Sequence, residues 1–403
     1  MVRSLLNSMS GAVSRSRLKP EANHLFVNNV RFWSMLAIIA AHSLIAWPLH
    51  GEWTATQNLQ IVLLQMMKFG TIGFYLISGF LLGERIDRYS APEYFRRRMK
   101  RVGGPWMVWA LLYAVLPLLK TVVLRHGEKS EAPSFAWEIW QRSIEVIFFS
   151  TYWFVPNFLF ALALLLLCRR YLDDLWFGAV LLGMSLFYGM NVYRQWVPSN
   201  HTAAVFGFVF YLWLGNWASR HSGLVFRFLK RVRWQSLCLA IALAGSAALG
   251  EACLLRRLGS EDAVNTLRIS NQVFSVLVVL GLMKIRHRTW PRWIDVRTST
   301  FGLFLVHPVV ALVLHNVIEW VHLRPASEQL WAHPIFGLGV WAGTFPVYYG
   351  VSLMVTQALA AQRSFSWMVG QWAAEKTSGG AVCSRRERQA QPVEGEVNLA
   401  PIK

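Results

Sequence analysis

The chain has 403 residues, of which 55% are hydrophobic and only 15% charged, and it contains 20 Trp and 25 Phe. Apolar runs near the ~20 residues that cross a bilayer recur along it, which excludes an ordinary soluble domain and indicates a polytopic membrane protein. A net charge of +19 would suggest nucleic-acid binding in a soluble chain. Here the basic residues cluster in short segments between apolar runs, where they set orientation and meet anionic headgroups, so we exclude nucleic acid as a partner.

The hydropathy pattern predicts an all-α bundle of about ten transmembrane helices. With ten spans both termini lie on one side, and the segments on that side hold 29 Lys and Arg against 9 in the opposite loops. The positive-inside rule then places both termini in the cytoplasm. The predicted spans are 30–49, 59–82, 103–124, 152–168, 174–191, 201–219, 235–255, 265–283, 299–318 and 334–360.

We predict that the chain consists of three segments: a cytoplasmic N-terminal segment at 1–24, a transmembrane domain at 25–362 and a cytoplasmic tail at 363–403. The first 20 residues lack a continuous apolar stretch with a small-residue cleavage site, so the first span is expected to stay in place. After Trp372 the chain is polar and Gly-rich, which predicts a disordered tail. The sequence shows no phosphate-binding loop, no HExxH helix, no GxSxG turn and no metal-ligand pattern.

Arg31 and His42 lie in the first apolar run with ten residues between them. Eleven helical positions bring a side chain back to within ~20° of its starting direction and ~16 Å further along the axis, so both groups share one face. Ionisable residues in a span are costly and usually functional. The alternative is that Arg31 only marks the cytoplasmic boundary and His42 makes an interhelical hydrogen bond.

Two further patterns follow in the chain. Ser78-Gly79 closes the second span, where small residues would let another helix or a ligand approach the backbone. Arg98 and Arg101 lie one helical turn apart before the third span, and guanidinium groups on one face can bind phosphate bidentately. The alternative for this basic run is a topogenic cluster that meets lipid headgroups.

Taken in order, these motifs resemble the acyltransferase-three family of integral membrane O-acyltransferases. The set is Arg31 and His42, Phe-x-x-x-Ser78-Gly79-Phe-Leu, Arg-Arg-Arg98-x-x-Arg101 before Pro105-Trp106, Trp153-Phe154, and Phe304-Leu-Val-His307-Pro308. The resemblance covers nearly all of residues 25 to 360. It implies a ten-helix bundle of the bacterial inner membrane that moves an acyl group, usually acetyl, from cytoplasmic coenzyme A to a hydroxyl of a sugar, exported polysaccharide or glycolipid.

The same resemblance implies functional roles for Arg31 and His42, which are the catalytic candidates, and for Arg98 and Arg101. Together with Ser78 and Gly79, these two arginines are the candidates for binding the coenzyme A donor. One departure is the segment Tyr152–Asn157, which carries no acidic residue where many relatives have one. Acyl transfer to an alcohol requires a base, a donor to the oxyanion and an anchor for the phosphates of the donor. An imidazole, with a reference pKa of about 6.5, fits the base, although it could also carry the acyl group covalently.

Other residues are weaker candidates. His307 matches a family position and is a candidate for binding the substrate, but it could equally be a structural polar contact between helices. Trp153 could stack on a sugar or anchor the chain at the interface. Lys68 lies within an apolar span, so it either snorkels or marks a later start of that span. The rival function is a transporter or flippase for glycans without acyl chemistry, which would favour a midplane acid for coupling. The spans show none, apart from Glu145 or Glu251 near their ends.

Overall fold

The computed structural model describes residues 20–45, 55–124, 135–320 and 333–372. Within these ranges the secondary structure is helical, without a strand, and the described residues up to Gln371 form one compact unit. The all-α prediction is therefore confirmed for this part of the chain. The helices are α1 (Pro20–Ile45), α2 (Ala55–Met67), α3 (Phe69–Gly83), α4 (Ala91–Leu124), α5 (Phe135–Phe149), α6 (Phe154–Leu167), α7 (Leu175–Arg194), α8 (Val209–Arg220), α9 (Ser222–Arg231), α10 (Trp234–Arg257), α11 (Ile269–Lys284), α12 (Val296–Trp320) and α13 (Pro334–Ala361).

Large apolar side chains point outward from the bundle, as expected for a surface that faces lipid rather than water. Leu243 on α10 is 63% exposed and Ile335 on α13 is 81% exposed. Six helical segments of the described ranges are long and apolar enough to cross a membrane, or seven if the bent pair α5–α6 counts as one span. Several apolar helices thus indicate a membrane protein, but the predicted count of about ten spans is not confirmed.

Some of the predicted spans are short or bent, which accounts for part of the difference in count, although α2 and α3 together still count as one span. Helix α11 has 16 residues and α8 has 12, so at ~1.5 Å per residue each is shorter than the ~30 Å hydrocarbon core. The fourth predicted span begins at a 64° bend between α5 and α6. The second predicted span is two helices, α2 and α3, joined at Lys68.

Helices α3 and α8 pack with their backbones in close approach. A Cβ atom at Gly79 would clash with the carbonyl oxygen of Leu212, and one at Gly215 would clash with the carbonyl oxygen of Leu76. Each glycine therefore lies against the backbone of the other helix. Of the two readings of Ser78-Gly79, the structure shows close helix packing, and it leaves no room for a ligand at Gly79.

The segment after α13 folds back against the bundle. Residues Ser366–Val369 form a short 3₁₀ turn whose Val369 is 1% exposed, and the indole Nε1 of Trp109 donates to the carbonyl of Met368 at 2.9 Å. Residues 363–371, assigned from the sequence to the tail, are thus part of the packed unit, because Val369 fills a space beside Gly302. The rest of the predicted tail, 373–403, lies outside the described residues, as does most of the segment 1–24.

Candidate active site

A pair of histidines from α1 and α12 lies in the interior of the bundle. His42 Nδ1 is 3.1 Å from His307 Nε2, and His307 is 3% exposed. The ring centroids are 5.2 Å apart, so the contact between the two rings is made by these nitrogens. The two residues that sequence analysis placed in separate roles therefore form one hydrogen-bonded pair.

The direction of this hydrogen bond follows from the other nitrogen of His307. Nδ1 of His307 lies 3.0 Å from the carbonyl oxygen of Leu303, which only accepts, so this nitrogen carries the proton. In the neutral ring Nε2 of His307 is then unprotonated and accepts from Nδ1 of His42. The remaining nitrogen of His42, Nε2, is left with a free lone pair, which is the state that a general base or a nucleophile requires.

The sequence positions His307 on α12 through a local interruption of the helix. Pro308 follows directly and has no N–H, so the helical hydrogen bond from residue 308 to the carbonyl of Phe304 is missing. A second helix carbonyl, that of Leu305, accepts from the Tyr152 hydroxyl at 2.7 Å. The indole of Trp106 in turn donates to the Tyr152 carbonyl at 3.0 Å. These bonds fix the turn Thr151–Trp153 beside the histidine pair.

Trp153 is half-buried, and one face of its indole is already covered. The ring of His201 stacks on it with centroids 4.6 Å apart, and His201 Nε2 is 3.2 Å from the hydroxyl oxygen of Thr266. Phe208 lies 5.2 Å from the same indole. Trp153 is therefore a packing partner of His201 in this state, and a sugar would have to displace that ring in order to stack there.

Lys68 lies at the junction of α2 and α3, close enough for its charge to act on His42 and on His201. The ammonium group makes no hydrogen bond or ion pair with any described residue, and Asp262 is the acid that offsets its charge. The junction lies within the second predicted span, so Lys68 is not explained by snorkelling at its end. It brings a positive charge to the histidine pair.

A buried polar network supports this region from the side of the loop before α11. Arg268 is fully buried and donates to the carbonyls of Asn265 and Ala248 and to the side chain of Gln65. Glu251 accepts from the backbone N–H groups of Ile269 and Ser270 at the start of α11. The hydrogen-bond partners of Arg268 and Glu251 are other groups of the protein, so we assign this network a structural role. It holds α2, through Gln65, against the loop before α11.

Four arginines gather near the other end of α1, and we call them the arginine layer: Arg31, Arg85, Arg98 and Arg297. The positive charges of the other three act on Arg31, and Asp295 is the acid that offsets them. None of the four makes an ion pair within the described part of the chain. Arg31 and Arg98 are half-buried, whereas Arg85 and Arg297 are exposed. Four neighbouring positive charges with a single acid form a site suited to an anion that carries several charges.

Local packing explains how the arginine layer is assembled. The loop between α11 and α12 is tied to α1, because Asn29 Nδ2 donates to the carbonyl of His287 at 3.1 Å and Thr289 donates to Asn29 at 2.7 Å. The indole of Trp33 donates to Thr289 at 2.9 Å. These bonds bring the start of α12, with Arg297, beside Arg31.

The two arginines predicted to bind phosphate are not equivalent in the structure. Arg98 is half-buried and its charge acts on Arg31, whereas Arg101 is exposed and lies outside the arginine layer. Ser78 is half-buried and Gly79 lies in the α3–α8 packing contact, away from free space. The structure thus brings together Arg31 with Arg98 and His42 with His307, but not the whole predicted donor set.

Sequence reasoning missed three residues of these clusters. Arg85 and Arg297 belong to basic segments that were counted only as topogenic, and His201 was not singled out at all. The signal available for Arg297 was its spacing, because Arg297 precedes His307 by ten positions on α12 much as Arg31 precedes His42 by eleven on α1. His201 lies in a loop and carries no comparable periodic signal.

Comparison with known proteins is consistent with this geometry. Residues 24–361 match the family model described as an acyltransferase domain, of the acyltransferase-three family. No curated protein and no solved structure matches the chain. The matched range contains both histidines and all four members of the arginine layer. The chain belongs to the acyltransferase-three family of membrane acyltransferases.

Proposed function

We propose that this protein is an O-acyltransferase that moves an acyl group, acetyl by preference, from cytoplasmic acyl-coenzyme A to a hydroxyl of a sugar or exported glycan. The observation that carries the proposal is the paired spacing on α1 and α12. Each helix carries an arginine at one level and a histidine ten or eleven positions further along. Both arginines belong to the arginine layer, and the histidines bond to each other.

The distance between the two levels fits the shape of the donor. Eleven helical positions correspond to ~16 Å along the axis. The arm of coenzyme A joins its diphosphate to its sulfur through twelve bonds, and at the ~3.3–3.6 Å per three bonds of an extended chain it spans about 14 Å. A donor with its phosphates among the arginines would therefore present its thioester near His42.

The chemistry at that position follows from the free nitrogen of His42. Nε2 takes the proton of the acceptor hydroxyl as the hydroxyl oxygen forms a bond to the thioester carbonyl carbon. The carbon–sulfur bond then breaks, and the departing thiolate takes the proton back from the imidazolium. If the imidazole itself attacks first, Nε2 bonds to the carbonyl carbon, the carbon–sulfur bond breaks and releases coenzyme A thiolate, and an acyl-imidazolium remains. The acceptor hydroxyl oxygen then attacks the acyl carbon, the carbon–nitrogen bond breaks, and the hydroxyl proton goes to the thiolate. His307 stays a hydrogen-bond acceptor for Nδ1 throughout and holds the ring in the productive tautomer.

Lys68 supplies the positive charge that the developing oxyanion needs. Its ammonium group acts on His42 and is not bonded to any described residue, so it can donate to the oxygen of the tetrahedral intermediate. His201 and Asp262 also interact with Lys68. Asp262 precedes α11 and Arg297 follows it, so the two lie at opposite ends of that helix. We place the acceptor at the end with Asp262, because the arginine layer occupies the other.

The test is transfer of label from acetyl-coenzyme A, radiolabelled in the acetyl group, to the glycan and glycolipid fractions of membranes that contain the protein. Membranes with the wild-type chain should label one of these fractions, and matched membranes with His42→Gln should not. Lys68→Met should lower the rate without changing the affinity for coenzyme A. Label that enters neither fraction, or enters both equally with the His42→Gln variant, would refute the proposed activity.

A further inference from the structure

A cavity that opens at the surface of the bundle lies apart from the arginine layer and the histidine pair. It is a cavity of about 360 Å³ bounded by α1, α3, α8, α9 and α11. Its lining is apolar and includes Phe26, Phe80, Ala218, Val276 and Met283. Apolar cavities of less than half this size stay free of water and take up hydrocarbon, so the natural occupant here is an alkyl chain.

The mouth of this cavity is at α9. Among the lining residues, the two with large exposed fractions are Leu224 and Phe228, at 39% and 58%, and both belong to this short helix. Helix α9 is strongly amphipathic, with apolar side chains toward the cavity and basic ones on the other face. A helix of this kind lies in the headgroup region of a membrane.

Helix α9 is held in place at its C-terminal end. The ammonium group of Lys284, the last residue of α11, donates to the carbonyl oxygens of Leu229 and Val232 at 2.5 and 2.8 Å. Its N-terminal end continues directly from α8 through His221, whose ring stacks on Trp217 at 4.5 Å. The helix therefore forms a fixed strap across the cavity, and its rim residues keep a defined position.

The rim carries positive charge without a matching acid. Arg227, Lys230 and Arg231 are exposed on α9, and none of them makes an ion pair within the described ranges. An alkyl chain in the cavity would place its headgroup at this rim. Charge complementarity then selects a headgroup with a phosphodiester and a net negative charge over a zwitterionic one.

We propose that this cavity binds one acyl chain of an anionic membrane phospholipid, with the headgroup held by Lys230 and Arg231. The site is separate from the donor and acceptor sites of the proposed function and does not depend on them. Filling the cavity removes the space for the chain, whereas removing the two charges affects the headgroup alone. The two kinds of variant therefore report on different parts of the same lipid.

The experiment uses the full chain, purified and delipidated in a neutral detergent, with dioleoyl phosphatidylglycerol and dioleoyl phosphatidylcholine as probes and native mass spectrometry as the readout. Phosphatidylglycerol should bind at least tenfold more tightly. Val276→Phe should weaken both lipids, and the double variant Lys230→Gln/Arg231→Gln should abolish the preference alone. The matched controls are Leu243→Phe on the exposed face of α10 and Arg257→Gln at its far end.

Equal affinity for the two lipids, or binding unchanged in a folded Val276→Phe variant, would overturn the proposal. So would a dimer that Val276→Phe dissociates while the wild type carries no lipid, because a second copy of this chain would then cover the mouth. If Val276→Phe does not fold, Ala218→Leu fills the same cavity with a smaller change. The double variant alters exposed residues, so it tests the headgroup contact regardless of how the cavity variants fold.

Discussion

His42 on α1 and His307 on α12 are joined by a hydrogen bond of 3.1 Å between Nδ1 and Nε2, although 265 positions separate them in the chain. The carbonyl of Leu303 fixes the proton on the other nitrogen of His307 and so fixes the direction of the bond. Nε2 of His42 is consequently the basic atom of the pair. This relationship gives the two histidines unequal roles, which substitution can separate.

Replacing His42 should abolish acyl transfer while leaving the donor bound. General-base loss costs about 10²–10⁴ in rate, and loss of a covalent catalyst costs at least as much. We expect this for His42→Ala and also for His42→Gln, whose amide keeps a hydrogen bond to His307 but cannot take a proton. Transfer rate, thermal stability and affinity for coenzyme A are measured together. Activity above about a tenth of wild type in a stable His42→Gln variant would make His42 a packing residue.

Replacing His307 should slow the reaction through His42. His307→Leu removes the acceptor for Nδ1 and frees the His42 ring to adopt the wrong tautomer, a change that lowers kcat by up to about 10⁴ where a base loses its orienting partner. His307→Gln offers a carbonyl oxygen to the same N–H and should retain more activity than Leu. The measurement is kcat at saturating acetyl-coenzyme A for both variants. Equal activity in the two would mean that the hydrogen bond does not position His42.

The features of this site that depend on spacing within one helix can be predicted from the sequence. The features that depend on contacts between distant helices and loops cannot. Arg31 and His42 share one face of α1 as their spacing indicates, because a continuous helix fixes that relation. The bond between His42 and His307 depends on how α1 packs against α12, and no local pattern specifies it. His201 reaches Trp153 from an irregular loop for the same reason.

The placement of Gly79 and of Arg101 also has a physical basis. Small residues predict close approach at Gly79 but not what approaches, and the backbone of α8 fills the space that a ligand would need. Arg98 and Arg101 are one turn apart on α4, yet the bundle covers only part of that face. Arg98 is thereby turned toward Arg31 while Arg101 remains at the surface. The spacing of two residues in the sequence gives the directions of their side chains around the helix axis. The packing of that helix against its neighbours decides which of these directions faces the interior of the bundle.

Gly79→Ala should destabilise the protein without selectively weakening donor binding. The added methyl group clashes with the Leu212 carbonyl, and overpacking of this kind costs about 1–3 kcal/mol. Gly104→Ala is the matched control, because nothing lies within 4 Å of its Cβ position. Thermal unfolding in detergent should show a lower Tm for Gly79→Ala and little change for the control. A stable Gly79→Ala variant with weaker coenzyme A binding would return Gly79 to the donor site.

The predicted orientation places the arginine layer in the cytoplasm, where coenzyme A is found. With the four native cysteines replaced by Ser, a cysteine at Ser90 should be protected from an impermeant maleimide added to intact cells, and one at Glu261 should be labelled. Both positions are exposed, at opposite ends of the bundle. Disrupting the cells should make Ser90→Cys reactive as well, which controls for its accessibility. If Ser90→Cys were labelled in intact cells and Glu261→Cys were protected, the arginine layer would face away from the cytoplasm and could not bind a cytoplasmic donor.

Replacing an arginine should weaken coenzyme A binding when that arginine belongs to the arginine layer, and membership of the basic run at residues 96–101 should not by itself matter. Charge-assisted contacts to phosphate contribute about 1.5–3 kcal/mol each, so Arg98→Gln and Arg297→Gln should each raise the Kd for coenzyme A about tenfold or more. Arg101→Gln, the matched control one turn away, should have a much smaller effect because Arg101 does not belong to the layer. Lys at position 98 should restore binding only in part, since a point charge cannot reproduce the planar fork of a guanidinium group.

Calorimetry on the purified variants measures these affinities directly, and 3′-dephospho-coenzyme A as a second ligand shows which phosphates the layer holds. If the arginine layer binds the diphosphate, each variant should lose affinity by the same factor for coenzyme A and for 3′-dephospho-coenzyme A. A tenfold loss for Arg101→Gln with none for Arg297→Gln would reverse the assignment. The donor would then bind along the surface of α4, and its arm would not be aligned with the histidine pair by α1 and α12.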